Sequence, residues 1–238
     1  MEVVTLGRRS GGGRDIARRP RTRRGRLLYV VTLGFNPSKA VGAVTDASRE
    51  GGDVLVVVRR DPVLAARRAV QDVLNLAESL GVRVEVLEVD PSDWCEVAGI
   101  SAVMRGYREV RVRIGGGLRI PQAFTLLAAI DNLSRVKELT IHDHDTGDEV
   151  SIPVWLPKLL SSPEKSGKLK VLKALALPQP TPKTPEEIAR DAGLSVGTAM
   201  KYVQFLRRAG LVKRVVPDKY KASSEGLRFA KAYFKSGK

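Results

Sequence analysis

A single cysteine, Cys95, in a chain of 238 residues rules out an intramolecular disulfide and any zinc site built on paired cysteines. One thiol acts by default as a small, inert side chain, and its solitude suits a reducing, cytoplasmic setting. Long apolar runs are also missing, so no segment has the length to span a bilayer as a helix. The Arg-rich beginning lacks the apolar stretch of a secretory signal. There are two histidines, His142 and His144. At i and i+2 they share one face of a strand, yet no third ligand stands at a recognised spacing, and no metal is expected. Methionine is rare, Asn and Gln are scarce and Arg is abundant, a composition that fits a thermophile.

What is plentiful is positive charge, +15 in all, and it is segregated. Residues 1–26 hold nine Arg against Glu2 and Asp15, a net +7. Residues 27–162 hold 15 basic and 18 acidic side chains, a net −3, whereas residues 163–238 hold 17 and 6, a net +11. A general solubilising excess would not divide this way. The pattern indicates a nucleic-acid-binding end joined to a nearly neutral domain with another task. An apolar content of 43% supports a real core. Residues 1–26, with Gly11-Gly12-Gly13 and clustered arginines, offer almost nothing to pack and read as a disordered basic arm. A start nearer Leu27 fits the same observation.

From Leu27 onward, strands alternate with helices. Leu27–Leu33, Val54–Val58, Val82–Val89, Val110–Ile114 and a stretch containing Leu139–Ile141 read as strands. Pro37–Ser48, Pro62–Leu80, Pro91–Gly106 and Phe124–Leu133 read as helices, Pro121 fitting the first turn of the last. Leu64, Val70, Val73, Leu74 and Ala77 carry the inward face of the second. The alternation implies βαβ units, hence an α/β, Rossmann-like, doubly wound and mainly parallel sheet over residues 27–154. Glu149–Val154 returns after a turn at Asp145–Asp148. Residues 155–162, interrupted by Pro157 and two serines, read as a linker, with Trp155 as an interdomain or dimer-packing residue.

Ligands of such sheets bind beyond the carboxyl ends of the strands. Two loops lie there and both open helices. The first runs Thr32-Leu33-Gly34-Phe35-Asn36, with Ser38 after Pro37, and Asn36 suits a helix N-cap. The second runs Gly115-Gly116-Gly117-Leu118-Arg119. Its glycines leave bare backbone N–H groups at a helix N-terminus, an anion site, and Arg119 brings a planar fork suited to phosphate. The same residues also suit a plain flexible turn. The third glycine of the dinucleotide fingerprint is absent and the loop follows a late strand, which disfavours NAD but not another phosphate-bearing ligand.

Residues 163–238 read as a winged helix-turn-helix. Glu164–Leu177 is a first helix. Thr184 opens the next with a Glu187 capping box, Gly193 makes the turn, and Ser195 caps Val196–Ala209. A hairpin turning at Pro217–Lys219 and a helix Ser224–Phe234 complete it. Ser195, Val196, Gly197, Thr198, Lys201 and Tyr202 are expected to meet the major groove of double-stranded DNA. Arg207, Arg208, Lys213, Arg214, Lys219 and Lys221 are expected near its phosphates. A winged helix used for protein contact is the alternative, against which the +11 charge argues.

The two loops together resemble the ligand-loop motifs of CRISPR-associated Rossmann-fold (CARF) domains. With the C-terminal module, residues 27 to about 235 are similar to archaeal CARF–winged-helix transcriptional regulators. The resemblance implies a homodimer that binds a cyclic oligoadenylate, expected to be cyclic tetra-adenylate, across its two-fold axis. It also implies control of CRISPR-associated genes in antiviral defence, with no cofactor and no catalytic residue. In that setting Phe35 would stack on a base, unless it only packs, and Asn36 would bond a base or ribose, unless it only caps. Two other functions stay open. One is a CARF-type ring nuclease that cleaves its ligand, with Lys39 or Arg119 stabilising charge. The other is a constitutive, non-specific DNA-binding protein.

Overall fold

The structure is a computed structural model that describes residues 27–235 apart from residues 116, 118, 143–147 and 163. The basic arm, Gly116, Leu118, His144 and the tip of the turn before Glu149 therefore lie outside the described residues. The chain divides into two compact units between Val154 and Trp155.

In the first unit the strands are β1 (Leu27–Thr32), β2 (Asp53–Arg59), β3 (Val84–Val89), β4 (Glu109–Ile114), β5 (Val136–His142) and β6 (Glu149–Ser151). The helices are α1 (Ser38–Glu50), α2 (Leu64–Ser79), α3 (Glu96–Arg105) and α4 (Arg119–Asp131). Among the described residues they build a sheet of order β3-β2-β1-β4-β5-β6, in which the first five strands are parallel and β6 pairs antiparallel to β5. The order reverses between β1 and β4, as in a doubly wound fold.

Because helices cover both faces, the central strands are buried throughout, which is why β1 and β2 read as unbroken apolar runs. Successive residues alternate between two cores. Leu28 and Val30 face the core that holds Ile100, Met104 and Phe124. Tyr29, Val31 and Leu33 face the core of α1 and α2, with Ala40, Val44 and Val73. β4 alternates Val110, Val112 and Ile114 with Arg111 and Arg113, and each arginine finds a carboxylate partner on α1. Arg111 Nη1 donates to the Tyr29 hydroxyl and to Glu50 Oε1, each at 2.8 Å, and Arg113 pairs with Asp46 at 2.8 Å. Burial pushes the Tyr29 hydroxyl pKa up to about 12, with its bond to Glu50 adding to the rise.

Several boundaries differ from the sequence reading for local reasons. The second helix begins at Leu64, whose side chain is exposed, because Pro62 and Val63 precede the first hydrogen-bonded turn; Ala66 and Ala69 take the inward places. The third begins at Glu96, since Asp90 to Asp93 spend their side chains on local turns. The fourth begins earlier, at Arg119, with Pro121 in its first turn.

The second unit holds α5 (Trp155–Leu160), α6 (Lys165–Ala176), α7 (Pro185–Ala192), α8 (Val196–Arg208), the ribbon β7 (Val212–Val216) with β8 (Lys219–Ala222), and α9 (Ser224–Lys235). The stretch expected as a linker is corrected here. Trp155–Leu160 is helical, Pro157 sitting in the first turn where its missing N–H is harmless. Leu159 is buried in this unit's core, and Trp155 packs edge-on to Phe229 of α9 with ring centroids 5.6 Å apart. Thr184 and Glu187 form the expected capping box, and Gly193 ends α7 in the left-handed conformation. Ser195 accepts from the Thr198 N–H (3.3 Å) to cap α8. No helix among the described residues is long and apolar enough to cross a membrane.

Candidate functional site

The two candidate loops meet at the switch point, because β1 and β4 are hydrogen-bonded neighbours. The Gly115 N–H donates to Thr32 Oγ1 at 3.1 Å, and Thr32 is fully buried. Gly117 has φ +90°, and a Cβ there would lie 2.6 Å from the Leu33 carbonyl oxygen. A Cβ on Gly115 would lie 2.5 Å from His142 Cβ. Glycine is thus required at 115 and 117 by close backbone approach, and at 117 by the dihedral as well. Gln122 Nε2 donates back to the Gly117 carbonyl at 3.3 Å. Thr32, Leu33, Gly34 and Gly115 are buried and form the floor of this edge.

Above the floor stand side chains the core has not used. Phe35 is 64% exposed. Asn36 is exposed and its Oδ1 accepts from the Ser38 N–H at 2.9 Å, so it caps the entry to α1 one residue before the position expected of it, Pro37 being the terminal residue. Ser38 is exposed on the first turn of α1. Arg119 is exposed as the first residue of α4 and makes no ion pair among the described residues. Lys39 reaches Glu149 of β6 at 3.2 Å, tying α1 to the sheet's far edge. Among the described residues this edge therefore offers the Arg119 guanidinium without an ion pair, the paired Lys39 ammonium and helix N-termini to an anion. His142 stands on β5, and among the described residues no group of three metal-ligating side chains occurs.

Two features at this edge escaped the sequence reading. Trp94, in the loop before α3, is 67% exposed with its ring 5.1 Å from that of Phe124. The second is an exposed stripe on α4: Ile120, Ala123, Leu127 and Ile130. These fall at i, i+3, i+7 and i+10, one face of the helix. The apolar run hid them, since a helix apolar all round gives no phase.

In the second unit, α8 buries Ala199, Tyr202, Val203 and Leu206. Tyr202, expected on the outer face, is corrected. It is 8% exposed, and a Cβ at Gly167 of α6 would lie 2.5 Å from its ring. A glycine on α6 makes room for the ring, a long-range pairing that spacing alone does not reveal. The outer face carries Gly197, Lys201, Gln204 and Arg208, with Val196 exposed beside them and Thr198 half-buried. A Cβ at Gly197 would meet nothing within 4 Å, so packing does not dictate the glycine. Lys201 is held by Glu164 at 2.7 Å, a contact that raises the lysine's pKa and lowers the glutamate's. Arg207, Arg208, Lys213, Arg214 and Lys219 are exposed and Lys221 is half-buried. Arg214 has a loose partner in Asp218 at 3.5 Å.

Among solved structures, the crystal structure of protein VC1899 from Vibrio cholerae is similar at 12% identity and a TM-score of 0.34. The match covers 86% of this chain and 64% of that one. No curated protein matches. Residues 27–153, more than half of the chain, match the sequence family described as the Csa3 CRISPR-associated Rossmann-like domain, and the chain belongs to that family.

Proposed function

We propose that the protein is a homodimeric, DNA-binding transcriptional regulator of CRISPR-associated genes that responds to a cyclic oligoadenylate, with cyclic tetra-adenylate as the ring. The observation that carries this reading is the pairing, in one chain, of two unlike surfaces. A Csa3-type Rossmann-like domain presents a glycine loop, Arg119 and an exposed Phe35 at its switch point. A winged helix-turn-helix with a +11 charge follows it.

The chemistry is consistent at each end. A cyclic oligonucleotide repeats its phosphates by rotation, so two symmetry-related glycine loops can each take one. The exposed face of α4 supplies an apolar surface for the subunit contact. In the C-terminal module, α8 is the recognition helix, Gly197 and Thr198 allowing close approach and Lys201, Gln204 and Arg208 reaching the groove. The ribbon's Lys213, Arg214 and Lys219, with Lys221, bind phosphates. The ligand changes the separation of the two recognition helices in the dimer, a coupling of about 1–3 kcal/mol by analogy with other allosteric proteins.

Fluorescence anisotropy of a labelled promoter duplex, titrated with the full-length protein at several salt concentrations, tests this. The expected result is a steep salt dependence and roughly a 5- to 150-fold change in affinity when cyclic tetra-adenylate is added. Affinity indifferent to the ring and to duplex sequence would leave a constitutive DNA-binding protein. Appearance of linear product during the titration would leave a ring nuclease.

A further inference from the structure

Aromatic residues form 5% of this chain, and most of them are buried or half-buried. Two are more than half exposed, Phe35 and Trp94, and both stand at the carboxyl ends of strands. Phe35 follows β1 and belongs to a loop already considered. Trp94 follows β3, two strands away, or about 10 Å at the usual strand spacing. Leaving two-thirds of an indole in water forgoes a large part of its burial free energy, so its exposure calls for a reason.

The loop that carries it is fixed. Asp90 Oδ1 accepts from the backbone N–H (2.9 Å) and the hydroxyl (2.6 Å) of Ser92. Asp93 Oδ1 accepts from the Cys95 N–H at 2.9 Å. Arg60 bridges Asp90 (3.1 Å) and Glu96 (2.7 Å). The indole leans one edge on Phe124 at an interplanar angle of 54° and leaves the rest open. Phe124 lies five residues beyond Arg119 in α4, about 7.5 Å along the axis. Trp94 is thus held beside the opening turns of the helix that begins at the glycine loop. A nucleotide joins an anionic phosphate to a flat base, and this edge joins an anion-ready helix N-terminus to a flat, pre-set indole.

We infer that Trp94 is a stacking platform for an adenine base of the ligand bound at this edge, a contact supplied by a third loop beyond the two glycine-bearing ones. The inference rests on the cyclic oligoadenylate reading above. Stacking needs only a π-face, so an aromatic replacement keeps it and an aliphatic one loses it.

Isothermal titration of full-length wild type, Trp94→Ala and Trp94→Tyr with cyclic tetra-adenylate is the test, with sedimentation velocity on each. Trp94→Ala is expected to bind ten- to a hundredfold more weakly and Trp94→Tyr within a few-fold of wild type, all three remaining the same oligomer. Tryptophan emission gives a second readout, because Trp155 is the other tryptophan and lies in the second unit. Saturating wild type with the ring should shift its emission, and the shift should vanish in Trp94→Ala. Wild-type affinity in Trp94→Ala overturns the inference while leaving the ligand reading intact. So does unchanged wild-type emission at a saturation established by calorimetry. A dissociated oligomer in Trp94→Ala overturns it too, since the indole would then serve a subunit contact. Failure of wild type itself to bind the ring removes the ligand reading and this inference with it.

Discussion

At the scale of single residues, the glycine triplet illustrates how one motif serves two demands. Read as sequence, Gly115-Gly116-Gly117 suggests a cradle of free N–H groups. In the structure the Gly115 N–H is taken by Thr32, and the hydrogen bond joins the ends of β1 and β4. Gly117 has no room for a side chain and a dihedral that disfavours one. Gly117→Ala is therefore expected to destabilise the first unit by about 2 kcal/mol or more, read from urea unfolding, and to weaken ligand binding with it. Tyr29 gives a pH prediction. Its folded pKa, about 12, lies above the roughly 10 of an unfolded tyrosine. The folded state keeps the proton that the unfolded chain releases. The stability so gained is complete below about pH 10 and is lost as the pH rises toward 12. Denaturant midpoints measured from about pH 9 to about pH 11.5 should fall more steeply in wild type than in Tyr29→Phe.

At the scale of elements, the strands were the most legible part, because burial on both faces leaves charged residues only at the ends of β2 and none in β1. Helix caps with a side-chain mechanism, Thr184 with Glu187 and Ser195, were legible for the same reason: one residue type does one job. What failed were features fixed by distant partners. Tyr202 is turned inward by a space that Gly167 leaves on another helix, and Leu159 makes α5 part of a core rather than a linker. Trp94 gave no periodic signal because it sits in a loop. The Glu164 contact to Lys201 is also a pairing across elements, 37 positions apart in sequence. It occupies the ammonium that α8 would direct at DNA in the proposed regulator. Glu164→Gln should free Lys201 and remove a repelling charge, raising duplex affinity by roughly threefold and steepening the salt slope by about one. Anisotropy over a salt series checks both numbers. An unchanged slope would mean that Lys201 makes no phosphate contact.

At the scale of the whole molecule, the segregation of charge was visible from composition alone, and the family match falls on the near-neutral part. The surface that would join two copies was not visible. Leu127→Glu, placed in the exposed stripe of α4, should shift sedimentation from dimer to monomer at micromolar concentration with no loss of thermal stability in the monomer, since Leu127 is already 43% exposed. The duplex affinity of that variant should fall sharply, because two half-sites no longer bind as one.

The sheet also limits how two such molecules could share a ligand. Its strands β1 to β5 all point the same way, and both glycine-bearing loops stand at their forward ends. Pairing β3 with its counterpart across a two-fold axis would make one continuous sheet, but it would reverse one set of strands and face the two loops in opposite directions. At the opposite margin, β6 is three residues long and exposed along its whole length, a poor seam for extension. For two copies standing side by side, a single ring can touch both only if the symmetry axis runs along the strands, like the spindle of two pages. The direction of the strands thus restricts how two copies could share one ring before any interfacial side chain is considered.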